Sequence, residues 1–157
     1  MTIAYSNRSA VSEQLAAELD CVRMELPDLL ATSDIVSLHC PYSPATHHLI
    51  SSNELAAMRP DAFLINTARG PVVDEAALAH ALAARQIAGA GLDVFEQEPP
   101  PAGHALFALP NVIMAPHVAG VTREAVDRMS EQTARNILSV RDGDPLRQNV
   151  INQDVYG

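Results

Sequence analysis

Short apolar runs alternate along this chain with Ala-rich segments of helical pattern. Residues 2–6 (T-I-A-Y-S) and 21–24 read as short strands, and D-I-V-S-L-H at 34–39 as a stronger one. Further strands are predicted at 61–67, 87–94 and 111–115. Helices fall between them. Ser12 is placed to cap a helix to about Leu19, with Glu13 in an acidic first turn that favours it. Residues 26–32 and 52–58 suit short helices. Asp74 caps D-E-A-A-L-A-H-A-L-A-A-R, which ends near Arg85. Thr122 caps a longer helix to about Val140. Its apolar positions Val126, Met129, Ile137 and Val140, with the methyl side of Thr133, follow i, i+3, i+4 spacing. Pro41 and Pro44 break the chain after the 34–39 strand, and residues 95–110 form a Pro-rich loop.

Strands separated by helices imply an α/β fold with a doubly wound parallel sheet. Strands of such a sheet are buried on both faces and read as continuous apolar runs. The runs at 35–38, 62–65 and 111–114 do so. Gly89 and Gly91 permit close backbone approach in the 87–94 strand.

Composition narrows the partners. The 157 residues carry 10 Lys+Arg against 19 Asp+Glu, a formal charge of −9. That balance argues against nucleic acid and against anionic membranes. No apolar run nears the roughly 18 residues of a membrane span. The core must be built from Ala, Leu, Val and Ile, because aromatics are only 4%. Cys21 and Cys40 make no disulfide framework, so a reduced, cytoplasmic setting is expected.

Chemistry collects at the strand ends. In a parallel sheet all these tips lie on one edge, where α/β proteins hold ligands. The first strand ends in Ser6-Asn7-Arg8-Ser9, the 34–39 strand in His39-Cys40-Pro41, and the 61–67 strand in Thr67-Ala68-Arg69-Gly70. Asp93 closes the 87–94 strand, with Glu98 five residues on, and the last strand leads into Pro116-His117-Val118-Ala119-Gly120. Taken singly these are bland. An Arg before a helix is a solvated charge, a His after Pro a hydrogen-bonded loop residue, and Glu98 a loop charge. Cys40 reads as a small buried residue. His47-His48 reads as a surface pair, because neighbours point apart and no third ligand has zinc spacing.

Taken together they carry a resemblance. The strings D-I-V-S-L-H-C-P with the later H-H-L-I, F-L-I-N-T-A-R-G-P-V-V-D-E, G-A-G-L-D-V-F-E-Q-E-P and L-P-N-V-I-M-A-P-H-V-A-G resemble the D-isomer-specific 2-hydroxyacid dehydrogenases, over nearly the whole chain. Within that family the chain looks closest to the glyoxylate/hydroxypyruvate reductases and the phosphoglycerate-dehydrogenase-like members. The resemblance implies hydride transfer between NAD(P)H and a small 2-oxo or 2-hydroxy acid. The family's catalytic Arg falls on Arg69, whose planar fork can hold a carboxylate in two parallel hydrogen bonds. Its acid/base His falls on His117, and its Glu on Glu98, which is expected to steady the imidazolium and fix its orientation. Asp93 and the Thr67-Ala68-Arg69 turn match positions at the nicotinamide end. His39, Cys40 and Pro41 match the segment along the adenosine side, and Gly120, in the matching stretch after His117, is expected to be a further cofactor-binding residue. No metal is implied.

Cofactor choice is read at the first strand tip. NAD-binding folds place Asp or Glu there for the ribose hydroxyls. Here Asn7, Arg8 and Ser9 stand instead, and an Arg attracts a 2′-phosphate that a carboxylate would repel. NADP(H) is therefore favoured over NAD(H).

The departure from the family lies in the phosphate loop. G-x-G-x-x-G is absent from these residues; Gly89-Ala90-Gly91 is the only G-x-G, and Val94 stands where the third glycine belongs. In the family that loop and most of the substrate domain lie upstream, so the chain resembles the C-terminal half of a longer enzyme. The expected fold is α/β, a Rossmann-like doubly wound parallel sheet, incomplete, without its first strand and glycine-rich loop. Residues 1–141 would form a partial dinucleotide-binding domain, and 142–157 a tail that packs on the substrate domain. In the strand order 3-2-1-4-5-6 the absent strand is central, between those at 2–6 and 34–39. Those two could pair directly, or a homodimer partner or a missing N-terminal half could fill the gap. The isolated chain is expected to bind dinucleotide weakly and to turn over little. A non-enzymatic dinucleotide-binding module and a self-associating module stay open as alternatives.

Overall fold

Ser12 shows how closely the local signals are obeyed. Its hydroxyl accepts the N–H of Leu15 at 3.2 Å and opens helix α1, Glu13–Leu19, which closes at Asp20 in the left-handed region. In the computed structural model, which describes residues 1–156, α1 links two short parallel strands, β1 (Ile3–Tyr5) and β2 (Cys21–Arg23). Helix α2 (Leu26–Thr32) leads to β3 (Ile35–Leu38), and α3 (Ser52–Ala57) to β4 (Phe63–Asn66). Helix α4 (Glu75–Ala83), rich in the best helix former, Ala, is capped by the Asp74 carboxylate on the N–H of Ala77 at 2.9 Å. Strands β5 (Gly89–Leu92) and β6 (Val112–Met114) come next, joined by the Pro-rich loop and a 3₁₀ turn at Ala105–Ala108. This first compact unit is Met1–His117; a second begins at Val118 and holds the long helix α5, Arg123–Arg141.

The larger sheet runs β3-β4-β5-β6, all parallel. Its register sets Val36, Leu64, Ala90 and Val112 in one row and Leu38, Asn66, Leu92 and Met114 in the next. Helices α2, α3 and α4 pack on that face through Leu30, Leu55, Leu78 and Leu82. Each such side chain removed from water is worth about 1.5–3 kcal/mol.

The other face is different. Ile35, Phe63 and Ile113 are 59%, 47% and 79% exposed. The apolar runs predict burial on both sides, but the helices that pack on this sheet in the first unit lie on one side. The reading of Gly89 as a site of close approach holds: a Cβ there would lie 2.8 Å from the carbonyl of Asn111 and 3.1 Å from the Phe63 ring.

Strands β1 and β3 do not pair. Among the described residues β1 bonds only to β2, and β3 only to β4, in two separate sheets. Each keeps an open edge, as expected where the order 3-2-1-4-5-6 puts its first strand between them. Among the described residues no helix is long and apolar enough to cross a membrane.

Candidate active site

Strand β4 ends on an inward-facing polar residue, Asn66, which is 1% exposed. Its amide closes the next turn. Nδ2 donates to the carbonyl of Arg69 and Oδ1 accepts the N–H of Ala68, each at 3.0 Å. Thr67, Ala68 and Arg69 are thereby fixed at the strand tip, and the exposed Arg69 guanidinium folds back to the Ala68 carbonyl at 2.6 Å. Gly70 then opens a 3₁₀ turn, Gly70–Val72. A Cβ on Gly70 would lie 1.9 Å from the carbonyl carbon of Phe95, so only glycine lets the two backbones meet. This contact ties the Arg69 turn to the chain leaving β5.

That chain carries the other candidates. Asp93 is buried and donates its N–H to the Asn66 carbonyl at 3.0 Å, prolonging the β4–β5 ladder. Glu98 turns back on its own loop: Oε1 accepts the N–H of Phe95 at 3.0 Å. Oε2 lies 2.8 Å from Nδ1 of His117. A carboxylate can only accept, so this contact puts a proton on Nδ1 and leaves Nε2 as the ring nitrogen able to exchange one with a ligand. His117 has φ 58, in the left-handed region that non-glycine residues seldom adopt. The Glu98 carboxyl is held below its ordinary value, first by the hydrogen bond from His117 and then by the Phe95 N–H, with the charge of Arg69 adding least.

Glu98 and His117 share one pocket of about 460 Å³ with Asp93, Phe95, Phe107 and Met114 in its wall. Its lining is mostly apolar, with three titratable groups converging on it, the make-up of a small-molecule site. Arg69 stands at the neighbouring tip, outside that wall.

The remaining predicted residues lie at other tips. After β1, Asn7 Oδ1 accepts the N–H of Arg8 at 3.0 Å. Arg23, one strand over, donates through Nη2 to the carbonyls of Asn7 and Arg8 at 3.0 and 3.2 Å. The Arg8 side chain and Ser9 are exposed. Beyond β3, His39 Nε2 lies 2.9 Å from the Ser37 hydroxyl, Cys40 is half-buried against the core, and the Pro41 carbonyl accepts from Thr46. Gly120 belongs to the second unit, in the turn before α5.

Sequence reasoning missed three groups. Asn66 had one signal, a lone amide at the end of an apolar strand. Arg23 had none, because its role depends on β2 lying beside β1. His48 differs from its reading as surface: it is half-buried, with Nε2 3.1 Å from Glu96, and only His47, stacked on it at 4.0 Å, is exposed.

A parallel α/β unit with Arg69, Asp93 and the Glu98–His117 pair at its strand tips defines a Rossmann-like dinucleotide-binding domain. Comparison with known proteins gives the family. Residues 1–119 match the family described as "D-isomer specific 2-hydroxyacid dehydrogenase, NAD binding domain", and the chain belongs to it. Its cofactor class is thus a nicotinamide dinucleotide. The chain is 50% identical over 131 residues to a glyoxylate reductase of Thermofilum pendens, covering 83% of this chain and 38% of that protein. It is 45% identical to one of Korarchaeum cryptofilum, covering 99% and 46%. Among solved structures, a D-mandelate dehydrogenase of Rhodotorula graminis superposes with a TM-score of 0.82 at 35% identity, over 88% of this chain and 40% of that one. A D-lactate dehydrogenase of Lactobacillus jensenii, solved with NAD+, gives 0.83 at 32%, over 91% and 46%. The chain spans less than half the length of the curated relatives it matches.

Proposed function

We propose that this chain supplies the cofactor-side half of the active site in a D-2-hydroxyacid dehydrogenase that reduces a small 2-oxo acid such as glyoxylate or hydroxypyruvate. The pairing of His117 with Glu98 at 2.8 Å carries the reading. Arg69 holds the acid's carboxylate through its fork. His117 gives a proton from Nε2 to the ketone oxygen, and takes one back in the reverse direction. Glu98 keeps the imidazole turned and steadies its positive charge. Asp93, buried at the end of β5, takes the nicotinamide end.

The residues present fit two ends of a dinucleotide. Asp93 and the Thr67–Arg69 turn suit the nicotinamide, and the tips after β1 and β3 suit the adenosine. No glycine-rich loop for the pyrophosphate occurs among the 157 residues. When bound, the nicotinamide supplies the hydride. Arg8 and Arg23 meet at the β1 tip, and no carboxylate pairs with either among the described residues. That supports NADP(H) over NAD(H).

The test is the oxidation of reduced nicotinamide on glyoxylate and hydroxypyruvate by the protein that carries this chain. His117→Gln is expected to lower kcat by about 10²–10⁴-fold. Arg69→Lys loses a charge-assisted bond, about 1.5–3 kcal/mol, and raises KM for the acid. Wild-type turnover in His117→Gln would reject the reading. A self-associating module is the second reading, favoured by the exposed sheet face of Ile35, Phe63 and Ile113.

A further inference from the structure

Glu75 is the first residue of α4, and it is buried at 9% exposure. Both its carboxylate oxygens are taken by the loop that carries Glu98. Oε1 accepts the N–H of Glu96 at 2.7 Å. Oε2 lies 2.8 Å from Nε2 of His104. The N–H of Leu106 points at Nδ1 of the same ring at 3.4 Å, so Nδ1 accepts and Nε2 carries the proton given to Glu75. Glu96 returns the contact. Its Oε1 accepts the N–H of Glu75 at 3.1 Å and lies 3.1 Å from Nε2 of His48, whose Nδ1 is 3.8 Å from the capping Asp74.

One carboxylate thus holds residues 96 and 104, and Glu98 lies on the chain between them. The bonds of Glu98 itself, to the Phe95 N–H and to His117, orient its carboxylate but do not fix the far end of the loop. His104 also lays its ring against Phe95 and Phe107, both in the pocket wall, with centroids at 6.1 and 5.8 Å. A glutamine could not replace Glu75 at both ends. Its amide nitrogen only donates, and it would face an N–H of either Glu96 or His104.

We propose that Glu75 is a positioning residue for Glu98, a buckle that closes the 96–104 loop and keeps Glu98 against the His117 imidazole. Its catalytic meaning rests on the reading of Glu98 and His117 given above; its geometry does not. The groups facing Glu98 are His117 and, more distantly, Arg69. Those facing Glu75 are His104 and Glu96, with His48 and Asp74 behind Glu96.

Carbon NMR titration of the Glu98 carboxyl in this chain tests the proposal without turnover. In Glu75→Gln the Glu98 titration should move up toward the ordinary carboxylate range, and the Nδ1–H signal of His117 should be lost. His104→Ala should give the same upward shift. His104→Gln, whose amide can still donate to Glu75, should restore the wild-type titration. If Glu75→Gln does not fold, the two His104 variants decide. A folded Glu75→Gln or His104→Ala with unchanged Glu98 titration and an intact His117 signal overturns the proposal. Absence of hydride transfer would reject the functional reading and leave this result as it stands.

Discussion

Gly70 and Phe95 touch backbone to backbone: a Cβ on Gly70 would stand 1.9 Å from the Phe95 carbonyl carbon. Through that contact the turn bearing Arg69 and the loop bearing Glu98 form one block. Gly70→Ala cannot be absorbed by a side-chain rotation, since both near atoms are main chain. Overpacking of this kind costs about 1–3 kcal/mol or more. At roughly 2–4 °C per kcal/mol for a protein of this size, the melting midpoint should fall by several degrees in a circular-dichroism melt. Gly103 has nothing within 4 Å of its Cβ position, and Gly103→Ala is the control. Equal melting of the two variants would deny Gly70 this structural role.

The Glu98–His117 pair predicts a pH dependence of stability. The folded-state pKa of Glu98 is lowered from 4.5, first by the His117 hydrogen bond. A lowered folded value stabilises above the unfolded pKa, and that contribution is lost as pH falls through the folded value. The window therefore lies below about pH 4.5. The side chains are 38% and 50% exposed, so solvent screening keeps the effect small. Urea denaturation of wild type and Glu98→Gln across that window should give a steeper acid loss for wild type. Parallel curves would count against the pair.

At the β1 tip, Arg8→Asp reverses the charge on which the proposed NADP(H) preference rests. The expected outcome is weaker NADPH binding and relatively stronger NADH binding, read by isothermal titration. An unchanged preference would reject the role of Arg8. The chain by itself is expected to bind either cofactor weakly, because it holds no G-x-G-x-x-G turn for the pyrophosphate.

The exposed face and the open edges of β1 and β3 predict self-association of the isolated chain. Unpaired strand edges and contiguous apolar surface recruit further chains. Light scattering should show a mass that rises with concentration. Replacing Ile35 and Ile113 with Lys should lower it while the circular-dichroism spectrum stays unchanged. A monodisperse monomer at high concentration would oppose the prediction.

The features legible in the sequence were local. Ser12, Asp74 and Thr122 act as caps within three residues of their own position, and each was readable in place. The meeting of His117 with Glu98, 19 residues apart, had no local signature: the shared sheet edge brought their tips together and the family strings paired them. Glu75 and Glu96 exchange bonds across 21 residues, and His48 reaches Glu96 across 48, so neither contact has a local signature. The bare sheet face was hidden for another reason. A continuous apolar run says that a strand is built to be covered on both sides, and nothing in the run says which coverings share its chain.

Strand β6 joins the bare face to the pocket through one backbone. Its side chains alternate, so Ile113 projects onto the exposed surface while Met114 lines the pocket that holds His117. The strand is three residues long, and it is the outermost of its sheet. Whatever lies on Ile113 therefore presses on the opposite side of that backbone from the chemistry. One short backbone therefore separates the exposed apolar surface from the pocket wall that includes His117.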